Sequence, residues 1–208
     1  MTVDNSNNTR IASHSDLANL LKAHPAIDKL IKTNVYSYYL VYFTLTVFFI
    51  TQSIRHYSWG HVTSGIAGGL IIWSLTEYTM HRFLFHWNPR NLFEKVLVYA
   101  LHDVHHAYPR DVSRSITPLA ASLPLAALFY FIFQAVFGKY AISIFPGFLL
   151  GYMIYTIIHD STHHFPMNFS LAKQLKRHHM RHHYFDNRKN FGVSSPIWDY
   201  IFRTYSKG

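Results

Sequence analysis

Sixteen histidines in 208 residues are an unusual stock of imidazole, and twelve of them fall in four short blocks. The blocks are MHRFLFH (His81, His86), LHDVHH (His102, His105, His106), HDSTHH (His159, His163, His164) and RHHMRHH (His178, His179, His182, His183). Only His14, His24, His56 and His61 lie elsewhere. Neutral imidazole is the commonest metal ligand among side chains. It suits iron, zinc, copper and nickel alike, so the donor type by itself names no metal.

Spacing gives the blocks chemical meaning. Residues three and four apart on a helix share a face. His102, His105 and His106 can therefore aim at one cavity, as can His179, His182 and His183, while His159 and His163 stand one turn apart. Neighbours on a helix diverge by about 100°, so one member of an adjacent pair can reach one ion while the other reaches a second. His81 and His86 are five apart, about 140° around a helix, which suits two separate centres or a helix that ends between them. A zinc site typically takes three or four protein ligands, so ten or more inward-facing imidazoles exceed one site and favour two ions sharing a ring of histidines. The His-Glu-x-x-His of a zinc hydrolase is absent from the chain. A metal transporter is expected to place its ligands near mid-membrane, not at the ends of apolar runs.

Metal-bound histidine usually donates its second N–H to a carboxylate or carbonyl. Glu77 precedes His81 by one helical turn and is the only acid inside an apolar run. Asp103 and Asp160 sit beside candidate ligands. These three acids are the candidates to orient the rings.

The elements that must carry the histidines are apolar. Half of the residues are hydrophobic, only 14% are charged, and there is no Cys, which excludes a disulfide framework or a thiolate metal site. Four apolar runs span about 36–54, 62–80, 118–137 and 141–158. Each is near the ~20 residues that cross a ~30 Å hydrocarbon layer as a helix. Four crossings in two hairpins put both termini and the 81–117 connector on one side. That side holds 17 of the 19 Lys and Arg, leaving only Arg55 and Lys139 opposite. The positive-inside rule then places the His-rich segments 81–117 and 159–208 on the cytoplasmic face. The formal charge of +9 is thus a topology and lipid-headgroup signal. No nucleic-acid partner is expected, because no nucleic-acid motif accompanies it. Residues 1–12 are polar and Asn-rich, without the pattern of a signal peptide. Residues 14–34 form an amphipathic segment broken by Pro25, on the protein surface or at a membrane interface. The expected fold is an all-α integral membrane protein with four transmembrane helices in two hairpins. A cytoplasmic helical cap would hold a two-metal site.

Taken together, EYTMHRFLFH (77–86), LHDVHHAYPRD (101–111), HDSTHH (159–164), LKRHHMRHHYF (175–185) and NFGVSSPIWDYIF (190–202) resemble the fatty acid hydroxylase superfamily of membrane di-iron oxygenases. The branch they resemble is fatty acid 2-hydroxylase, over Glu77 to the C-terminus. The resemblance implies ten ligands: His81, His86, His102, His105, His106, His159, His163, His179, His182 and His183. It leaves His164 and His178 near the site without coordinating. It makes 36–208 the hydroxylase membrane domain, with 1–35 a polar terminus and amphipathic helix. It implies two iron ions, replaceable by zinc after overexpression, with O2 as co-substrate. The implied reaction is hydroxylation of long acyl chains at C2, commonly those of sphingolipids or ceramides. Sterol- and carotenoid-modifying relatives use similar boxes, but the NFGVSSPIWDYIF ending favours the acyl branch. Electrons would come from a separate donor such as cytochrome b5 or a ferredoxin with its reductase, since only about 35 residues precede the first span and hold no fused cytochrome b5 domain. The implied location is the endoplasmic reticulum in a eukaryote or the inner membrane in a bacterium. The chain departs from the pattern at Asp103, where the family usually has Gly, at RSITP (114–118), and at FRT (202–204), where FGT is usual. None of these removes a ligand candidate.

Overall fold

The computed structural model describes residues 25–207. The expected polar terminus, His14, His24 and most of the amphipathic segment lie outside the described residues.

The chain opens with a short helix, α1 (Pro25–Leu30), followed by α2 (Val35–His56). Asn34 caps α2 by accepting a hydrogen bond from the Ser37 N–H at 3.0 Å. Helix α3 (Trp59–Thr79) runs without a break into a π-helical turn, Met80–Phe85. Helix α4 (Leu92–Val98) also continues into a π-helical turn, Tyr99–Asp103, and then into α5 (Val104–Ala107). Its start is a reciprocal cap. Asn91 accepts from the Glu94 N–H at 2.9 Å, and Glu94 reaches back to accept from the Arg90 N–H at 2.7 Å. Helices α6 (Leu119–Phe137) and α7 (Ala141–His164) form a tight hairpin through a 3₁₀ turn at Gly138–Tyr140. Helix α8 (Ser170–Tyr184) and the short α9 (Ile197–Ile201) complete the chain.

The four long helices fall close to the four apolar runs. The main departure is at the end of α7, which continues through His164 as one helix, so the third His block rides on its last two turns. Two segments are long and apolar enough to cross a membrane by length and composition: Val35–His56 and Val112–His164. Helix α3, which carries His61, four glycines and Glu77, is not one of them.

Helix α7 is the axis of the bundle, packed chiefly on α3 and α2. The α3–α7 seam is built on small residues. A Cβ on Gly69 would stand 2.1 Å from the Ile144 carbonyl oxygen, and one on Gly147 would stand 2.1 Å from that of Ile66. Hydrogen at these positions lets the two backbones approach to contact. Gly69→Ala is therefore expected to cost about 1–3 kcal/mol or more by overpacking. Gly68→Ala, where no atom lies within 4 Å, leaves the melting temperature in detergent unchanged. Between α2 and α7, Tyr38 shares a hydrogen bond with Thr156 (2.8 Å) and Ser53 with Ser143 (2.6 Å), one pair towards each end of the bundle. An aromatic core fills the space between, with Tyr38, Tyr42, Phe133, Phe145 and Phe148 buried.

Candidate metal centre

The two π-helical turns decide where the first histidines point. A π turn closes with i→i+5 hydrogen bonds. The His86 N–H donates to the His81 carbonyl at 3.2 Å, and the rings stand 5.1 Å apart. Of the two expectations for this pair, the helix that ends between them holds, since the π turn closes at Phe85 with His86 as its cap, and service to two centres is corrected. The wider turn stacks residues five apart, and both rings enter the same group. The second π turn lies at Tyr99–Asp103 and aims His102 and the following α5 histidines inward.

The ten expected donors converge in two groups of five. His81, His86, His102, His106 and His182 form one, and His105, His159, His163, His179 and His183 the other, with the donor atoms of each within 4.8 Å of one another. Helical pairs four apart stay together: His102 with His106, His159 with His163, and His179 with His183. The adjacent pairs His105–His106 and His182–His183 split between the groups, as the 100° step requires. His164 and His178 fall outside both groups.

The geometry within the groups is that of converging lone pairs. In the first, Nε2–Nε2 separations are 3.0 Å for His81–His102, 2.9 Å for His102–His106, 3.2 Å for His106–His182 and 2.9 Å for His86–His182. The His81 Nδ1–H donates to the Phe191 carbonyl at 2.5 Å, and the His182 Nδ1–H to the Lys189 carbonyl at 2.8 Å. Both rings must then present a bare Nε2. Three imidazoles remain to supply protons for four contacts, so hydrogen bonding alone cannot satisfy the group. In the second group, Nε2–Nε2 separations are 2.8 Å for His163–His179 and 3.1 Å for His105–His163. There the Ser115 backbone carbonyl holds the His159 ring, and the His159 Nε2 is buried with no hydrogen-bond partner. A cation answers both problems. Two nitrogens at right angles around an ion about 2.0–2.1 Å away stand about 3.0 Å apart. The residues present fit a pair of metal ions.

Burial keeps the donors neutral, as a metal requires. Desolvation, reinforced by neighbouring imidazoles, pushes His102, His105 and His106 well below the ordinary histidine pKa. Desolvation lowers His182 to about 4, against the opposing pull of the Lys189 carbonyl. An unfolded histidine titrates near 6.5, so between that pH and about 4 the unfolded chain binds protons that the folded cage refuses. The metal-free protein is expected to lose stability steadily as pH falls across that window, read as melting temperature after chelation. A flat profile from pH 7 to 4 contradicts a neutral cage.

Two of the three expected orienting acids, Glu77 and Asp160, act at one remove. Glu77 was expected to bond a ligand ring. Instead its carboxylate accepts from the N–H groups of Val193 (2.6 Å) and Ser194 (2.8 Å) and from the Ser194 hydroxyl. Asp160 accepts from the Ser115 hydroxyl at 2.9 Å and lies 3.4 Å from His164, so it steadies the residue whose carbonyl holds His159. Asp103 is buried on the second π turn. Asp199 escaped the sequence reading. Fully buried, it accepts from the N–H groups of Phe191 (2.9 Å) and Gly192 (2.8 Å), the Thr204 hydroxyl (2.7 Å) and His178 Nε2 (3.0 Å). The sequence signal was its place in the NFGVSSPIWDYIF ending as the sole acid. Glu77 and Asp199 together fix the 189–194 loop whose carbonyls orient His81 and His182.

The region that carries these histidines is similar to known proteins. The fatty acid hydroxylase family model matches residues 66–204. A dihydroceramide fatty acyl 2-hydroxylase of Arabidopsis thaliana is 35% identical over 140 residues, covering 67% of this chain and 59% of that protein. The ceramide very long chain fatty acid hydroxylase of Schizosaccharomyces pombe is 38% identical over 65% of this chain and 40% of its own length. The chain thus spans between two fifths and three fifths of these relatives. A solved structure of full-length scs7p, with only its hydroxylase domain visible, superposes with a TM-score of 0.81 at 30% identity, covering 86% of this chain and 69% of that one. The all-helical fold, the two imidazole groups and the 66–204 match lead to one conclusion: this chain belongs to the fatty acid hydroxylase family.

Proposed function

We propose that the protein is an O2-dependent hydroxylase of long-chain acyl groups, acting at C2 of the fatty acyl chain of a sphingolipid or ceramide. Its ten grouped histidines hold two iron ions, five imidazoles to each. The observation that carries this reading is one apolar cavity with two wall residues, Phe85 and Tyr155, that each stack on a histidine of a different group. That cavity is lined by Trp73, Phe85, Phe129, Phe148, Tyr152 and Tyr155 among others, and its exposed lining is almost wholly apolar. Phe85 stacks on His102 of the first group (5.1 Å between centroids, 18°), and Tyr155 on His159 of the second (5.6 Å, 13°).

The chain's own residues then have definite tasks. The aromatic walls take up methylene groups and exclude water. Phe85 and Tyr155 bring the carbons next to the acyl head against the imidazole groups. The Phe191, Lys189 and Ser115 carbonyls fix ring orientation before substrate arrives. The ions, when bound, supply activation of O2, and no side chain need act as nucleophile or base. The names of the Arabidopsis and fission-yeast relatives, a dihydroceramide fatty acyl 2-hydroxylase and a ceramide very long chain fatty acid hydroxylase, support the substrate class. A four-crossing topology with the histidines on the cytoplasmic face fits the same reading. Leu40, Phe43, Ile71 and Phe131 are each at least 60% exposed on α2, α3 and α6, as lipid-facing side chains are.

The test is direct. The protein is purified without oxygen, its iron and zinc counted, and reductant, O2 and an N-acyl sphingolipid supplied. Two ions per chain and a gain of one oxygen at acyl C2 support the proposal. A single ion, or an oxygen found elsewhere on the lipid, overturns it.

A further inference from the structure

Outside the imidazole groups, α8 and the C-terminal segment enclose a groove of ≈ 350 Å³ lined by Arg177, Arg181, Lys207, His178, Tyr200 and Tyr205. A second groove of ≈ 670 Å³ on the same helix shares Arg177 and Arg181 and adds Lys173 and Lys176. The five cations have no acid beside them in either lining. Among the described residues none of the five is in an ion pair.

The floor of the first groove leads inward. Tyr200, 57% exposed, stacks on Tyr205 at 4.1 Å and 19°. Tyr205 stacks on His178 at 5.5 Å and 18°. His178 donates to Asp199 at 3.0 Å, and Asp199 accepts from the Phe191 N–H at 2.9 Å. The Phe191 carbonyl accepts from His81 of the first imidazole group at 2.5 Å. His178 is also joined through the backbone to His179 of the second group. This histidine is excluded from both groups, yet is buried and connects the surface to each.

We propose that this face of α8 and the C-terminal segment is the docking surface for an acidic one-electron carrier protein, and that the Tyr200–Tyr205–His178 stack lies on the electron's way in. The inference rests on the hydroxylase reading. Replacing an acyl C–H by C–OH with O2 consumes two electrons and two protons and releases the second oxygen as water. Two dockings, each delivering one electron, supply that need. A basic groove attracts an acidic carrier and orients it on encounter. Concavity argues for a protein partner, because a protruding side chain can enter a groove of ≈ 350 Å³ that a flat bilayer surface only covers.

The experiment uses the full chain in phosphatidylcholine nanodiscs, metal-loaded and metal-free. The probes are two acidic carriers, the soluble haem domain of cytochrome b5 and a plant-type ferredoxin. At low salt the triple variant Arg177→Glu, Arg181→Glu, Lys207→Glu is expected to weaken carrier binding by about 10-fold or more, and native binding to weaken as salt shortens the Debye length below about 10 Å. Lys95→Glu, exposed on α4 away from the grooves, leaves the Kd unchanged. Tyr205→Leu slows carrier-driven reduction without changing the Kd, and Tyr205→Phe restores it. Binding by neither carrier, or equal binding by native and triple-variant protein, overturns the proposal. So does a triple variant that loses only its preference for phosphatidylserine discs, which assigns the face to lipid. Dithionite bypasses docking. If it drives hydroxylation in the triple variant while the carrier does not, the docking surface is upheld. If the carrier binds as expected but neither reductant yields product, the hydroxylase reading fails and the docking surface stands.

Discussion

Replacing His182 by alanine is expected to leave one metal ion per chain and to bring hydroxylation to background. His182 is fully buried, its Nδ1–H is committed to the Lys189 carbonyl, and its Nε2 stands 2.9 Å from that of His86 and 3.2 Å from that of His106. Alanine removes a donor from the first group alone, so the second group should keep its ion. His179→Ala, which strikes the second group, should give the mirror result: one ion retained, in the first group, and activity again lost. The control is His164→Ala, outside both groups, with two ions and near-native turnover expected. Metal analysis of the three purified variants separates these cases. Two ions and substantial turnover in His182→Ala sink the two-group assignment.

The second large effect belongs to a residue that touches no histidine of either group. Asp199→Ala strips acceptors from two backbone N–H groups, a hydroxyl and an imidazole, all in a buried setting. Each orphaned donor costs about 1–3 kcal/mol. The 189–194 loop should loosen, and with it the Phe191 and Lys189 carbonyls that set the tautomers of His81 and His182. Loss of such ring-orienting partners typically weakens metal binding about 10–100-fold. The loss is expected in the first group, with the second, held through Ser115, closer to native. Asp199→Asn keeps the shape but offers an amide where two acceptors are needed, and should fall between. Melting temperature and metal titration read the two effects separately. A variant that melts and binds metal like the native chain refutes this account of the loop.

How much was legible beforehand follows from the range of each signal. The histidines announced themselves because helical periodicity is local. A four-residue interval puts two rings on one face wherever the helix lies, so the division of His105 from His106 could be read directly. The four long helices were equally plain from their apolar runs. The π turns were not. A π turn has no residue preference strong enough to read, and it arises here where converging imidazoles reward the wider turn. His81 and His86 were consequently assigned an α-helical angle they do not have. Glu77 failed for a different reason. Its partners, Val193 and Ser194, are 116 and 117 residues away, and no local pattern discloses a contact of that range. Asp199 lay hidden among residues whose common task, presenting two carbonyls, involves main-chain atoms.

That last arrangement shapes how the protein tolerates inherited change. Because it is the peptide oxygen at 189 that steadies His182, the exposed side chain of Lys189 can change without harm to the group it serves. The vulnerable codons are displaced to 77, 160 and 199, whose carboxylates bond the supporting loops and not the ten grouped rings. Damaging variants should therefore surface at sites that look remote, and harmless ones beside the cage itself.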